Sequence, residues 1–99
     1  MDLKTLLASP QIKTFCQNHH IRRLSFFGSV VRDDFGPQSD IDALVEFAAG
    51  HTPGYDFFLM EAELSKLLGR KVDLQTLNFL NSEIRPAVLS EAVPAYEQA

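Results

Sequence analysis

The sequence predicts an α/β fold, in which helices and strands alternate along the chain. Helix-type and strand-type hydrophobic patterns follow one another without an internal repeat or a long linker. The 99 residues are enough for one hydrophobic core and too few for two. We therefore expect a single domain over residues 1–99.

The hydrophobic periods locate the individual elements. Helices are predicted at residues 3–8, 10–20, 29–35, 55–68 and 81–92. Strands are predicted at residues 21–27, 40–47 and 71–76, the second with strict alternation typical of a half-buried strand. The 55–68 helix is expected to turn five residues inward, namely Phe57, Met60, Leu64, Leu67 and Leu68. Pro94 argues against a regular strand at the C-terminal end.

Composition and charge exclude several classes of function. Nine Lys and Arg against 13 Asp and Glu give a net charge of −4, so general DNA or RNA binding lacks the basic surplus that it needs. The longest obvious apolar run, residues 57–60, is far shorter than the ~20 residues of a membrane span, and no signal peptide is recognisable. The one cysteine, Cys16, cannot form an intramolecular disulfide. We expect a protein of the reducing cytoplasm.

Three aspartates lie at or within predicted strands, where Asp is uncommon: Asp40, Asp42 and Asp73. Asp40 and Asp42 are two residues apart, so their side chains leave the same face of one strand. If Asp73 lies on the neighbouring strand, each ionised pair at ~5 Å and an effective dielectric of ~20 repels by roughly 3 kcal/mol. Cations or raised pKa values would relieve this repulsion, and oxygen-only ligands favour Mg²⁺ or Mn²⁺. A solvated sheet face with three unrelated acids explains the alternation equally well.

A second candidate element is Gly28-Ser29, where a buried strand turns into a predicted helix. Glycine lets an anion approach the backbone, and Ser29 with the following amides offers donors to a phosphate. The alternative is that Ser29 is an ordinary helix cap. Arg32, one turn later, reaches either a triphosphate or a nearby acid. No phosphate-loop or dinucleotide fingerprint provides a competing nucleotide site.

Taken together, these residues resemble the DNA polymerase beta-like nucleotidyltransferase superfamily. The resemblance rests on Gly28-Ser29, Arg32, the Ser-Asp-Ile-Asp run at 39–42 and the Val-Asp-Leu run at 72–74. More narrowly, residues 27–32, 39–47 and 68–74 look like a minimal nucleotidyltransferase of the MntA type, and the similarity continues through 84–85 and 88–92. The chain departs from many relatives at Asp33, where they carry glycine, and at Pro94, in a tail that is often strand-like.

The resemblance implies a small mixed β-sheet flanked by helices, and transfer of a nucleoside monophosphate from a triphosphate to a hydroxyl, with pyrophosphate leaving. By position, Asp40 and Asp42 would ligate two Mg²⁺ ions, or Mn²⁺, and Asp73 would complete the catalytic metal site and help to activate the hydroxyl. Gly28 and Ser29 would hold the β- and γ-phosphates. Two further candidates for nucleotide binding are Arg32 and Ser39.

The resemblance also implies a protein partner. Relatives of this type are antitoxins encoded beside a HEPN-domain ribonuclease toxin, which they can inactivate by adenylylating one of its tyrosines. Chain length leads independently to a partner, because 99 residues leave no room for a domain that holds the acceptor. We therefore expect an ATP-dependent antitoxin. Two alternatives stay open: an antitoxin that neutralises by binding alone, and a catalytic subunit that modifies a small molecule or an RNA end.

Overall fold

The structure is a computed structural model that describes residues 3–32, 36 and 38–98. Its helices are α1 (Leu3–Leu7), α2 (Pro10–Asn18), α3 (Asp56–Leu68) and α4 (Arg85–Glu91), with a 3₁₀ turn at Gly28–Val30. Its strands are β1 (Ile21–Phe27), β2 (Ile41–Phe47), β3 (Val72–Gln75) and β4 (Val93–Glu97). Within the described residues, no helix has the length and apolar character needed to cross a bilayer.

The four strands form one mixed sheet in the order β3-β2-β1-β4. The β1–β2 and β1–β4 pairs are antiparallel, whereas β2 and β3 are parallel. Parallel neighbours need a crossover connection, and α3 supplies it. The predicted α/β fold with a small mixed sheet flanked by helices is confirmed.

One face of the sheet carries the main hydrophobic core. Ile41, Ala43 and Val45 all point to this face, as the alternation predicts, and each is at most 1% exposed. They belong to one buried cluster with residues of β1, α2 and α3. Cys16 is fully buried in this cluster, and burial raises the pKa of its thiol to about 12, so it is a packing residue. Leu67 was predicted to face inward, but it is 36% exposed because it lies beside the stripe that α3 buries.

The opposite face is covered only in part. Leu44, which alternation places with the polar residues, is buried against Leu80, which precedes α4, and Val88 of α4. β2 is therefore apolar on one face and apolar in the middle of the other. Polar side chains remain at its two ends, at Asp42 and Glu46.

The outer edge of β3 is closed by side chains from α3. The Val72 N–H donates to Ser65 Oγ at 2.9 Å, and the Leu74 N–H donates to Glu61 Oε2 at 2.8 Å. These alternate residues point their N–H groups away from β2, which would otherwise leave them without a partner. Because α3 lies along this edge, the crossover also fixes β3 in place beside β2.

Two predictions for the C-terminal part need correction. β4 is a strand despite Pro94, because it lies at the sheet edge and its pairing with β1 contains an irregularity between Leu24 and Ser25. α4 begins at Arg85 and not at 81–82, because Asn81 Oδ1 accepts a hydrogen bond from the Glu83 N–H at 2.8 Å and forms a turn.

Candidate active site

Asp42 and Asp73 are direct neighbours across the parallel β2–β3 pair. Adjacent strands lie about 4.8 Å apart, and both side chains leave the face opposite the main core. Each residue is half-buried. The Gln75 amide donates to Asp73 Oδ1 at 2.9 Å and so orients that carboxylate. The convergence of these two predicted residues follows from the register.

Asp40 precedes β2 and is exposed. Its Oδ2 lies 3.8 Å from Lys71 Nζ, in an exposed ion pair. Asp40 nevertheless affects the ionisation of Asp42. Burial raises the pKa of Asp42, and the negative charges of Asp73 and Asp40 raise it further, whereas the positive charge of Arg32 lowers it. The three predicted carboxylates thus form one electrostatic group around Asp42, with Asp40 at its solvent side.

Gly28 lies directly against Asp42. The last residue of β1, Phe27, pairs with Asp42, so the chain turns beside this carboxylate. Gly28 has φ +75°, in the left-handed region that favours glycine. A Cβ at this position would lie 3.1 Å from Asp42 Cγ and would collide with Oδ2. The turn therefore requires glycine for its conformation and for its space.

Ser29 lies inside the 3₁₀ turn and does not cap it. The residue in the capping position before the turn is Phe27, whose side chain makes no capping hydrogen bond, so the predicted capping role of Ser29 is wrong. The predicted helix over 29–35 is described only as far as residue 32, and there it is this short turn. The remainder of that prediction lies outside the described residues. Ser29 is half-exposed on the turn that touches Asp42.

A fourth carboxylate, from Glu91 at the end of α4, joins this region. Glu91 Oε1 accepts hydrogen bonds from the Gly28 N–H at 3.0 Å and from Arg32 Nη1 at 3.2 Å. Its charge also raises the pKa of Asp42. The sequence reasoning gave Glu91 no role. One signal was available: an acid at the C-terminal end of a helix opposes the helix dipole, so it needs another partner.

Ser39 holds the loop that leads into β2. Its hydroxyl accepts a hydrogen bond from the Gly36 N–H at 3.0 Å. Arg70 Nη2 donates to the carbonyl oxygens of Gly36 and Ser39 at 2.8 and 2.7 Å. Arg70 thereby fixes the approach to Asp40, a function that its position in the sequence did not reveal. Nucleotide binding by Ser39 stays a prediction.

The donors fit a divalent cation by their chemistry. All three predicted ligands are carboxylates. Burial raises the pKa of Asp42, and the neighbouring negative charges raise it further; a bound cation would offset the repulsion between those charges. Within residues 3–32, 36 and 38–98, no three or more His, Cys, Asp or Glu side chains lie together in a group that could hold a metal ion by itself. Mg²⁺ usually binds through one or two carboxylates together with substrate phosphates, so an Asp42–Asp73 pair is the protein part that such a site needs.

An apolar cavity lies at the other end of β2 and β3. It has a volume of about 390 Å³, and its lining includes Phe47, Phe58, Leu77 and Phe79. None of the predicted site residues borders it. The carboxylates and this cavity are therefore separate features of the sheet.

Sequence comparisons relate this chain to known nucleotidyltransferases. The sequence profile of the nucleotidyltransferase domain matches residues 9–94. A Methanocaldococcus jannaschii protein whose name assigns it protein adenylyltransferase activity is 39% identical over 75 residues, which are 76% of this chain and 80% of that protein. The profile match spans β1, β2 and β3 completely and reaches the start of β4.

Solved structures agree with the fold. One described as a minimal nucleotidyltransferase has a TM-score of 0.77 and 38% identity, and the match covers 95% of this chain and 96% of that chain. Another is a complex of a tri-AMPylated HEPN toxin from Shewanella oneidensis with MNT antitoxin. One of its chains matches with a TM-score of 0.68 at 18% identity, over 96% of this chain and 72% of that one. At this identity the second match shows the fold alone.

Proposed function

This chain belongs to the nucleotidyltransferase domain family, and we propose that it is an antitoxin that transfers AMP from ATP to a tyrosine hydroxyl of a cognate HEPN-domain toxin. The observation that carries the proposal is the Asp42–Asp73 pair across β2 and β3, with the Gly28–Ser29 turn against Asp42. This arrangement brings cation ligands and phosphate donors to one end of the sheet.

The transfer is a displacement at the α-phosphorus of ATP. The tyrosine oxygen forms a bond to this phosphorus, the bond to the bridging oxygen of the β-phosphate breaks, and pyrophosphate leaves. Mg²⁺ held by these carboxylates would neutralise charge at the phosphate oxygens and would favour ionisation of the attacking hydroxyl. In our proposal Asp40, Asp42 and Asp73 hold two such ions. Asp73, oriented by Gln75, is our candidate acceptor of the phenol proton.

The remaining donors act on the triphosphate. We assign the β- and γ-phosphates to the Gly28–Ser29 turn, because its backbone N–H groups and the Ser29 hydroxyl are hydrogen-bond donors that lie beside Asp42. Arg32 lies one turn later, and its side chain is 57% exposed, so a phosphate can approach it from solvent. In these roles, Gly28, Ser29 and Arg32 bind the β- and γ-phosphates, which leave together as pyrophosphate.

The partner is proposed from the related proteins and from the contents of the described residues. The described residues contain one small sheet and its helices, with no second unit to hold a protein acceptor. The protein adenylyltransferase name of the archaeal relative supports a protein acceptor. A HEPN partner is supported by the complex in which a chain with the fold of this protein accompanies a tri-AMPylated HEPN toxin. Because such a toxin holds the tyrosine, this chain needs to supply only the nucleotide half of the site.

The test is intact-mass spectrometry of the adjacent-gene toxin after incubation with this protein, ATP and Mg²⁺. We expect a mass increase that corresponds to one or more AMP groups. Asp42→Asn should abolish the increase, because it replaces an anionic cation ligand with a neutral amide of nearly the same volume. Glu83→Gln is the matched control, since it neutralises an exposed acid before α4, and it should leave transfer unchanged.

Two results would contradict the proposed reaction. An unmodified toxin in a stable complex with the wild-type protein indicates an antitoxin that neutralises by binding alone. Transfer by wild-type protein to an RNA end or a small molecule, with no change in toxin mass, indicates a different acceptor. Asp42→Asn binding to the toxin, measured in parallel, separates loss of chemistry from loss of the complex.

A further inference from the structure

The Glu91 carboxylate occupies two donors that the proposed function assigns to the triphosphate. One oxygen, Oε1, accepts from both the Gly28 N–H at 3.0 Å and Arg32 Nη1 at 3.2 Å. An anionic oxygen between a backbone amide and a guanidinium has the same contacts that a phosphate oxygen would make there. The Gly28 N–H carries a single hydrogen, so a phosphate can take it at full strength only after Glu91 has left.

We propose that Glu91 is an internal competitor of the nucleotide: it fills the phosphate-binding donors in the free protein, and ATP displaces it. This inference rests on the proposed function. It assigns Glu91 a role in setting nucleotide affinity, distinct from the metal-binding and phosphate-binding roles of the other residues.

Electrostatics favour displacement over coexistence. Glu91 already adds negative charge beside Asp42, together with Asp40 and Asp73. A triphosphate brings further negative charge to the same donors, so a carboxylate that stayed in contact would repel it. Departure of the Glu91 side chain relieves this repulsion and removes its contacts to the Gly28 N–H and to Arg32 Nη1.

The surrounding fold confines the change to the Glu91 side chain. Glu91 ends α4, whose Val88 is buried against Leu44. Two residues later, Val93 begins β4 and pairs with Phe26. The backbone is therefore fixed on both sides of Glu91, whereas its side chain is about a quarter exposed and can turn toward solvent.

Calorimetric titration with ATP and Mg²⁺, in the absence of toxin, tests the proposal without turnover. Glu91→Gln keeps the shape of the side chain and removes its charge, and Glu91→Ala removes the competing oxygen altogether. We expect both variants to bind ATP about tenfold more tightly than the wild-type protein, which corresponds to about 1.4 kcal/mol. Glu97→Gln, an equal charge change on β4 at an acid that pairs with Arg23, should leave the affinity unchanged.

The direction of the change in ATP affinity shows whether Glu91 competes with the nucleotide or supports the binding site. If Glu91 merely held Gly28 and Arg32 in place, Glu91→Ala would bind ATP more weakly than wild-type protein. Unchanged or weaker binding by both variants overturns the proposal, with circular dichroism confirming that each is folded. The increase in ATP affinity caused by Glu91→Gln should also be smaller in an Arg32→Gln background, because the Glu91 oxygen and the phosphate compete for the same guanidinium.

The same titrations distinguish the two proposals. If wild-type protein adenylylates the toxin but neither Glu91 variant binds ATP more tightly, only the competition is wrong. If neither wild-type protein nor the Glu91 variants bind ATP, both proposals fail. If Glu91→Gln binds ATP where wild-type binding is undetectable, the competition is supported in its strongest form.

Discussion

The two faces of β2 show how this small chain separates stability from chemistry. Toward α2 and α3, Ile41, Ala43 and Val45 are fully buried in a continuous apolar cluster. On the opposite face, Leu44 alone is buried, between half-buried Asp42 and Glu46. Like charges around Asp42 oppose folding, and the apolar face offsets them. The comparison predicts that substitutions on the two faces affect different properties.

Phe26→Ala should produce the largest loss of stability. Phe26 is fully buried in β1 on the core face, and truncation of a buried phenylalanine typically lowers the free energy of unfolding by about 3–5 kcal/mol. Phe58→Ala is the matched control, because Phe58 is 69% exposed and should change stability little. Urea denaturation measures both. Similar losses in the two variants would contradict the assignment of stability to the core face.

Gly28→Ala should have the next largest effect. The left-handed conformation disfavours any other residue by roughly 1–2 kcal/mol, and here the added Cβ also meets the Asp42 carboxylate. Gly50→Ala isolates the conformational part, because Gly50 has φ +81° and open space around it. We expect Gly28→Ala to be less stable than Gly50→Ala by about 1 kcal/mol or more in urea denaturation. Equal stability would mean that the close approach to Asp42 is unimportant.

Ser65→Ala should have a smaller effect, about 1 kcal/mol. It removes the acceptor of the Val72 N–H at the outer edge of β3. Ser90→Ala, at an exposed position in α4, controls for the helix preference of alanine. Hydrogen exchange of the Val72 amide should accelerate only in Ser65→Ala. An unchanged exchange rate would show that α3 does not protect this edge.

Asp42→Asn should have the smallest effect on stability, and in the opposite direction. The folded state raises the pKa of Asp42 above 3.8, so ionisation of Asp42 lowers the free energy of unfolding as the pH rises through that raised value. Without metal, the variant should be more stable than wild-type protein at pH 7. The gain should vanish below pH 3.8, where the carboxyl is protonated in both states. Urea denaturation across this range, with Glu83→Gln as the control, measures it.

The stability difference between Asp42→Asn and wild-type protein should depend on Mg²⁺. A cation that binds Asp42 and Asp73 in the folded state stabilises wild-type protein by mass action. The stability advantage of Asp42→Asn should therefore narrow or reverse as Mg²⁺ is added. An advantage that is independent of Mg²⁺ would contradict cation binding at this pair.

Local pattern was sufficient to predict three of the four strands. The alternation in β2 and the apolar runs of β1 and β3 reflect burial, which a sequence records directly. β4 was missed because Pro94 is unfavourable in most strands, and only the position at a sheet edge makes it acceptable. That position depends on pairing with β1, about seventy residues earlier, which local pattern does not contain.

The candidate site likewise contains residues that the sequence predicts and residues that it does not. The proximity of Asp42 and Asp73 was predicted from their strand positions, and the register brings them together. The roles of Glu91 and Arg70 were not predicted, because each acts through contacts to residues more than thirty positions away. Periodicity locates a side chain on a face, whereas its hydrogen-bond partner depends on the completed fold.

The closure of the β3 edge by Ser65 and Glu61 also limits how this protein can assemble. An open strand edge invites another chain to extend the sheet, a common route to aggregation. On the β3 side the outward N–H groups of Val72 and Leu74 are already taken. Sheet extension among the described residues is thus left to β4, where Pro94 has no N–H to donate. A partner that binds elsewhere must recognise side chains, which favours a specific complex over indiscriminate strand pairing.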